Sequence, residues 1–233
     1  MKWTTQIARI YGIPIRVHWS FALIFVWLLL ICVSSGLSAS QSLFAIGMIL
    51  AVFLIIVLHE LGHALMAAYF DVPTRDIILS PVGGLARFEK IPEKPVQEIS
   101  IFLAGPGVNV LLTILFHIGF MLFTPEYQFS IHPRFWRLEG APHFWRYLFQ
   151  INLVLLCINL LPIFPLDGGR VFRSLLAMLL PRPKATFLAT RFGLFLSCLI
   201  VVWGVVVGDY TLAVIGFFVC VSVFHQKTVK PTQ

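Results

Sequence analysis

Residues 55–66 read Ile-Ile-Val-Leu-His-Glu-Leu-Gly-His-Ala-Leu-Met, so a His-Glu-x-x-His motif stands inside an apolar segment. On an α-helix His59 and His63 lie on one face, because they are four residues apart, and both imidazoles can bind one metal ion. Glu60 is displaced by one residue and can reach a water on that metal rather than the metal itself. A cluster of buried polar residues without an ion is the less favoured alternative, since a central acid in lipid costs about 2.5–3.5 kcal/mol even on lenient scales. The stretch therefore predicts a metal site within a membrane helix.

The composition of the whole chain agrees with a membrane location. Of its 233 residues 59% are hydrophobic and only 12% are charged, whereas a soluble domain carries about 25% charged residues. This excludes an ordinary cytosolic enzyme and a disordered tail, because the apolar surface needs lipid as its solvent. The net charge of +7 could indicate nucleic-acid binding, but the basic residues lie between apolar blocks and form no arm or patch. We expect no nucleic acid as a partner.

We predict an all-α polytopic membrane protein with a single domain over residues 1–233. Apolar blocks long enough to span a bilayer, at about 20 residues per helix, define six predicted spans. The first block follows basic residues and is followed by small residues, as in a signal peptide. We prefer a retained helix, because six spans then explain how Lys and Arg are distributed between the loops. The six spans lie at 18–36, 43–69, 98–123, 146–165, 187–207 and 210–225.

The basic residues predict the topology. If the amino terminus is cytoplasmic, all of the 17 Lys and Arg residues face the cytoplasm except Arg134, Arg137 and Arg146. The inverted topology would contradict the positive-inside rule. We therefore expect a multi-pass protein with both termini in the cytoplasm. The loop at 124–145 is then external, and its aromatic residues favour the headgroup level of the outer surface.

Two further segments break the helical pattern on the cytoplasmic side. Residues 76–80 and 85–88 flank the turn sequence Pro-Val-Gly-Gly, which predicts a short β-hairpin. Residues 159–170 contain two prolines and two glycines, which predict that the fourth helix is broken where it lines a cavity. Asp167 is the only acid there, and it is the candidate third metal ligand, since catalytic zinc normally takes three protein ligands. A helix cap or a partner for Arg170 is the alternative for Asp167.

The four cysteines all lie in apolar blocks without a CxxC pair. Buried Cys behaves as a small hydrophobe, so we expect neither a disulfide nor a cysteine metal site.

At this point the chain resembles the site-2 proteases, the intramembrane zinc metalloproteases of peptidase family M50, in a compact bacterial-type form. The stretches that carry the resemblance follow one another along the chain. They are residues 12–18, His59-Glu60-Leu61-Gly62-His63, Pro81-Val82-Gly83-Gly84, Ala104-Gly105-Pro106-Gly107-Val108-Asn109, and Asn159 through Arg170 with its Leu166-Asp167-Gly168-Gly169 core.

The resemblance implies a set of roles. His59, His63 and Asp167 would bind one Zn²⁺ per chain, Glu60 would be the catalytic acid/base, and Asn159 would assist the substrate or the oxyanion. The expected activity is that of a zinc metalloendopeptidase (EC 3.4.24.-), which hydrolyses peptide bonds in or near transmembrane segments. The substrate would be a single-span membrane protein, such as a membrane-bound transcription regulator, an anti-sigma factor or a signal-peptide remnant. The resemblance also implies a regulatory membrane partner and a location in a bacterial cell (inner) membrane. Many relatives carry a PDZ or CBS regulatory domain, and this chain has room for neither.

Three more residues are candidates near the substrate. Gly83 and Gly84 in the hairpin could let an unwound substrate segment add as a strand, and a plain tight turn is the alternative. Asn109 could line the site or tie two helices together. Two rival functions remain open at this stage, a zinc transporter and a catalytically silent membrane adaptor.

Overall fold

The computed structural model describes residues 3–81, 83–90, 92, 94–123 and 144–228. Most of the predicted external loop, residues 124–143, lies outside the described residues. The chain divides into two units, one of residues 1–91 with 107–156 and one of residues 92–106 with 157–233. The prediction of a single domain stays a prediction.

Seven α-helices account for most of the described residues. Six of them overlap the six predicted spans, with α4 ending six residues before the predicted end of the fourth span, and the short helix α5 was not predicted. The helices are α1 (Ala22–Ser34), α2 (Ala39–Tyr69), α3 (Pro95–Phe123), α4 (Phe144–Asn159), α5 (Asp167–Ala177), α6 (Arg182–Val206) and α7 (Tyr210–Thr228).

Three of these helices, α2, α3 and α6, are long and apolar enough to cross a membrane. The apolar parts of the other three matching helices are shorter, at residues 19–34, 144–159 and 212–221. Membrane-crossing helices are therefore confirmed by length and composition, while the six-span arrangement stays a prediction.

The predicted hairpin is confirmed, and it belongs to a larger sheet whose two amino-terminal strands were not predicted. The strands are β1 (Thr4–Ile10), β2 (Ile13–His18), β3 (Thr74–Ser80) and β4 (Gly83–Phe88). They lie in the order β1-β2-β3-β4, with β2 parallel to β3 and the other two pairs antiparallel. The described residues are mostly helical, as predicted, but the sequence did not indicate β1 and β2, which extend the predicted hairpin into a four-stranded sheet.

One face of the sheet packs on α2 within the first unit. Ile15 of β2 and Ile77 of β3 are buried with Leu61, which lies inside the polar motif on α2, and with Ala64, which directly follows it. Burial of apolar side chains is worth about 25 cal/mol per Å², so this contact fixes the sheet against the part of α2 that carries His59 and His63.

An ion-pair cluster lies on the other face of the sheet. Asp76 is buried and accepts a hydrogen bond from Arg87 Nε at 2.6 Å, and Arg16 Nε lies 3.4 Å from its second oxygen. The hydrogen bond from Arg87 holds the pKa of the Asp76 carboxyl below its usual value. This cluster joins β2, β3 and β4.

The predicted break in the fourth helix is confirmed, although its cause differs. Helix α4 ends at Asn159 and the chain becomes helical again at Asp167. Gly168 and Gly169 lie in the first turn of α5 and do not break a helix. A Cβ on Gly168 would stand 2.3 Å from the Leu160 carbonyl oxygen, so the glycines permit close packing against the preceding chain.

Candidate metal centre

The two histidines of the motif lie one turn apart on α2 and point to the same place. Both are almost fully buried, at 4% exposed for His59 and 3% for His63. Their Nε2 atoms are 3.0 Å apart. Two nitrogens held at about 2.0–2.1 Å by a tetrahedral zinc ion would lie about 3.3 Å from each other. The spacing therefore fits a shared metal ion, as the i, i+4 spacing predicts.

Asp167 supplies a carboxylate to the same group. His59, His63 and Asp167 each offer one ligand atom, and these atoms all lie within 4.8 Å of one another, so the three residues could hold a metal ion. Two imidazoles with one carboxylate are typical of catalytic zinc sites that keep an open position for water. The structure brings the three predicted ligands together, while their roles as ligands stay predictions.

Local packing within the second unit explains why Asp167 lies at the start of α5. It is the first residue of α5, directly after the non-helical segment 160–166. A Cβ on Gly169 would lie 2.5 Å from the Ile163 carbonyl carbon. Because both neighbouring glycines lack a side chain, the first turn of α5 sits tightly on this segment, which fixes the start of the helix.

Glu60 is held by the sheet. Its Oε2 accepts a hydrogen bond from the backbone N–H of Ala86 at 2.8 Å, and its side chain is half-buried. Strand β4, which carries Ala86, is the last strand of the sheet. A strand of the predicted hairpin therefore orients the predicted catalytic carboxylate.

The two hairpin glycines serve different purposes in the fold. Gly83 adopts a φ of +134°, which side chains rarely tolerate, and open space surrounds the position of its missing Cβ. Gly84 faces the motif: a Cβ there would lie 2.7 Å from Glu60 Cγ and 2.8 Å from Ile56 Cγ2. Gly84 thus leaves space for the Glu60 side chain. The turn sequence of the hairpin alone did not indicate this reason for a glycine at position 84.

Gly84→Ala is expected to lower kcat about 10–100-fold at unchanged zinc content, because an added Cβ displaces Glu60 and a shift of about 1 Å can cost 100-fold in rate. Cleavage kinetics and metal analysis on the same preparation measure both quantities. Gly47→Ala on α2 is the matched control, since the space for its Cβ is open. Wild-type kcat in Gly84→Ala would contradict the packing argument.

The two predicted asparagines are placed differently. Asn109 on α3 is fully buried, and its Oδ1 lies 3.3 Å from His59 Nδ1. Asn159 is the last residue of α4, where the helix breaks. Sequence reasoning missed Asn152 on α4, which is also fully buried and donates from Nδ2 to the backbone oxygen of Asn109 at 2.8 Å. A polar residue in an apolar span was the available signal for Asn152.

Comparison with known proteins shows what the chain is similar to. The chain matches peptidase family M50 over residues 47–137 and 129–201. It is 33% identical over 220 residues to a zinc metalloprotease of Methanocaldococcus jannaschii, with 94% of this chain and 59% of that protein covered. It is 30% identical over 185 residues to the stage IV sporulation protein FB of Bacillus subtilis, with 76% of this chain and 58% of that protein covered.

A solved structure extends the similarity to the fold. The site-2 protease from Methanocaldococcus jannaschii superposes with a TM-score of 0.67 at 28% sequence identity, covering 99% of this chain and 98% of that chain. The chain spans slightly less than three fifths of the length of the two curated relatives.

Proposed function

Because the chain belongs to peptidase family M50, the site-2 proteases, we propose that it is an intramembrane zinc metalloprotease that hydrolyses peptide bonds in or near transmembrane segments. The observation that carries the proposal is the group formed by His59, His63 and Asp167, with Glu60 next to it on α2. The apolar helices and the family make the chain an integral membrane protein.

The proposed mechanism assigns one step to each group. A zinc ion held by the two histidines and Asp167 would supply an activated water and polarise the scissile carbonyl. Glu60 takes a proton from the water and delivers it to the leaving amine. Since the Ala86 N–H holds Oε2 of Glu60, we assign the proton transfer to Oε1.

We also propose six membrane crossings with both termini in the cytoplasm. The match of six helices to six apolar blocks supports the number of crossings, and the distribution of Lys and Arg supports the orientation. A bacterial inner membrane is the proposed location. The sheet, with its cluster of Arg16, Asp76 and Arg87, would then lie on the cytoplasmic side.

The proposed substrate is a single-span membrane protein, such as a membrane-bound transcription regulator, an anti-sigma factor or a signal-peptide remnant. An intact transmembrane helix hides its carbonyls in hydrogen bonds, so a segment of it must unwind before cleavage. Among the described residues β4 pairs only with β3, and an edge strand can bind an extended peptide by main-chain hydrogen bonds. A segment added to β4 would lie beside Glu60, because Ala86 on this strand already contacts its carboxylate.

Chelation and readdition of zinc test the proposed activity. Protein reconstituted in vesicles with a panel of single-span proteins should cleave at least one of them, lose that activity with 1,10-phenanthroline, and regain it with zinc. Zinc uptake into the vesicles without cleavage would indicate a transporter. Zinc binding with neither uptake nor cleavage of any panel member would contradict the protease and favour an adaptor.

A further inference from the structure

We propose that Asn109 is a positioning residue of the metal centre, which fixes the ring of His59 with the Nε2 lone pair toward the metal. The inference rests on the proposed zinc function and assigns a residue outside the ligand set. It replaces the two roles that the sequence suggested for Asn109, lining the substrate site or only tying helices together.

The contact between Asn109 and His59 sets the position of a proton. Oδ1 of Asn109 lies 3.3 Å from Nδ1 of His59. An amide oxygen only accepts hydrogen bonds, so Nδ1 must carry the proton, and Nε2 of a neutral imidazole then carries the lone pair. That Nε2 is the atom that faces His63 at 3.0 Å. The amide oxygen therefore selects the tautomer of His59 that can bind a metal.

The surroundings of Asn109 Nδ2 indicate that the contact with His59 determines the orientation of the Asn109 amide. Asn109 is 0% exposed, and its Nδ2 has no hydrogen-bond partner among the residues that the structure describes. Turning the amide over would point Nδ2 at His59, which would require the lone pair on Nδ1 and the proton on Nε2. The observed orientation leaves a buried donor unpaired but keeps the acceptor on the histidine.

A second buried amide holds this part of α3 in place. Asn152 Nδ2 donates to the Asn109 backbone oxygen at 2.8 Å and to Thr113 Oγ1 at 2.7 Å, and Thr113 Oγ1 donates to the same backbone oxygen at 2.7 Å. These bonds join α4 to the turn of α3 between Asn109 and Thr113, and none of them involves His59. Asn152 is thus the residue that ties helices, and Asn109 is the residue that reaches the metal centre.

Outer-sphere partners of metal-binding histidines orient the ring and raise its basicity, and their loss typically costs 10–100-fold in metal affinity. Asn109→Leu removes the acceptor at nearly constant volume, so we expect its zinc Kd to rise about 10–100-fold. Asn109→Asp keeps an acceptor at the same place and should bind zinc with close to wild-type affinity. Competition with a chromophoric chelator, using zinc alone in detergent, measures these values.

Asn152→Leu is the matched control, because Asn152 is an equally buried amide in the same network. It should lower thermal stability while its zinc Kd stays within about 3-fold of wild type. Wild-type affinity in Asn109→Leu, or an equal loss in Asn152→Leu, would overturn the positioning role. If the wild-type protein binds no zinc, the proposed function itself fails, which is a different result.

A measurement on the unaltered chain covers the case in which Asn109→Leu does not fold. Nitrogen-15 NMR of metal-free protein labelled at histidine, with the His59 signals assigned by their loss in His59→Gln, reports which ring nitrogen carries the proton. The proton on Nδ1 is the expected result. The proton on Nε2 would overturn the inference.

Discussion

Glu60→Gln is expected to lower cleavage about 10³–10⁴-fold while the zinc content per chain stays at the wild-type value. General acid–base catalysis contributes about 10²–10⁴-fold, and Glu60 has to serve in both directions, first for the water and then for the leaving amine. Gln has nearly the same size, and its side-chain oxygen can still accept from the Ala86 N–H that holds Glu60 Oε2. The substitution therefore removes the base without removing a ligand or the contact with the sheet.

The measurement pairs single-turnover cleavage with metal analysis on one preparation. Glu89→Gln is a suitable control, because this exposed acid lies just beyond β4 and should leave both quantities unchanged. Wild-type cleavage by Glu60→Gln would exclude Glu60 as the general base. Loss of zinc together with cleavage would instead show that Glu60 is needed for zinc binding.

The features that sequence predicts well are those that depend only on a few neighbouring residues. The histidine spacing at His59 and His63 depends only on helical periodicity. The helix break before Asp167 depends on two nearby prolines, since a proline in a helix removes a backbone hydrogen bond and crowds the preceding turn. The hairpin also depends on a local turn signal. Each of these appears in the structure because no distant partner is needed to form it.

The missed elements depend on partners far away in the chain. In β2 the buried Ile13 and Ile15 alternate with the less buried Pro14 and Arg16, which is a period of two. Its parallel partner β3, however, lies about 60 residues later. Without that partner an isolated amino-terminal hairpin would be marginal, so the local pattern alone does not predict these strands. The contact of Ala86 with Glu60 was not predictable for the same reason.

Helix α5 was missed for a different reason. Gly168 and Gly169 lower intrinsic helix propensity by about 1 kcal/mol each, which favours a break at these positions. The structure uses them for close packing against Leu160 and Ile163, and this tertiary contact outweighs local propensity. Sequence reasoning named Asp167 as a ligand candidate but did not predict the helix that begins with it.

Asp167→Ala is expected to lower the zinc affinity by more than the 10–100-fold of an outer-sphere change, because two imidazoles alone do not complete a catalytic zinc site. Asp167→Asn should also weaken binding, since it keeps the size of the side chain but removes the charge of the carboxylate. Metal analysis after dialysis against a weak chelator, together with the thermal unfolding midpoint, measures the two effects separately.

The unfolding midpoint decides between a ligand and a structural role for Asp167. An acid in the first turn of a helix stabilises it by only about 0.3–1 kcal/mol through the helix dipole, so Asp167→Asn should change the stability of the metal-free protein little. Arg170→Gln provides the comparison for the alternative in which Asp167 mainly pairs with that arginine. If Asp167→Asn and Arg170→Gln lower stability equally and both keep wild-type zinc, Asp167 serves the fold and the third ligand lies elsewhere. If zinc is lost only in the Asp167 variants, Asp167 is the third metal ligand. The close packing of Gly168 and Gly169 against the preceding chain then positions this ligand at the start of α5.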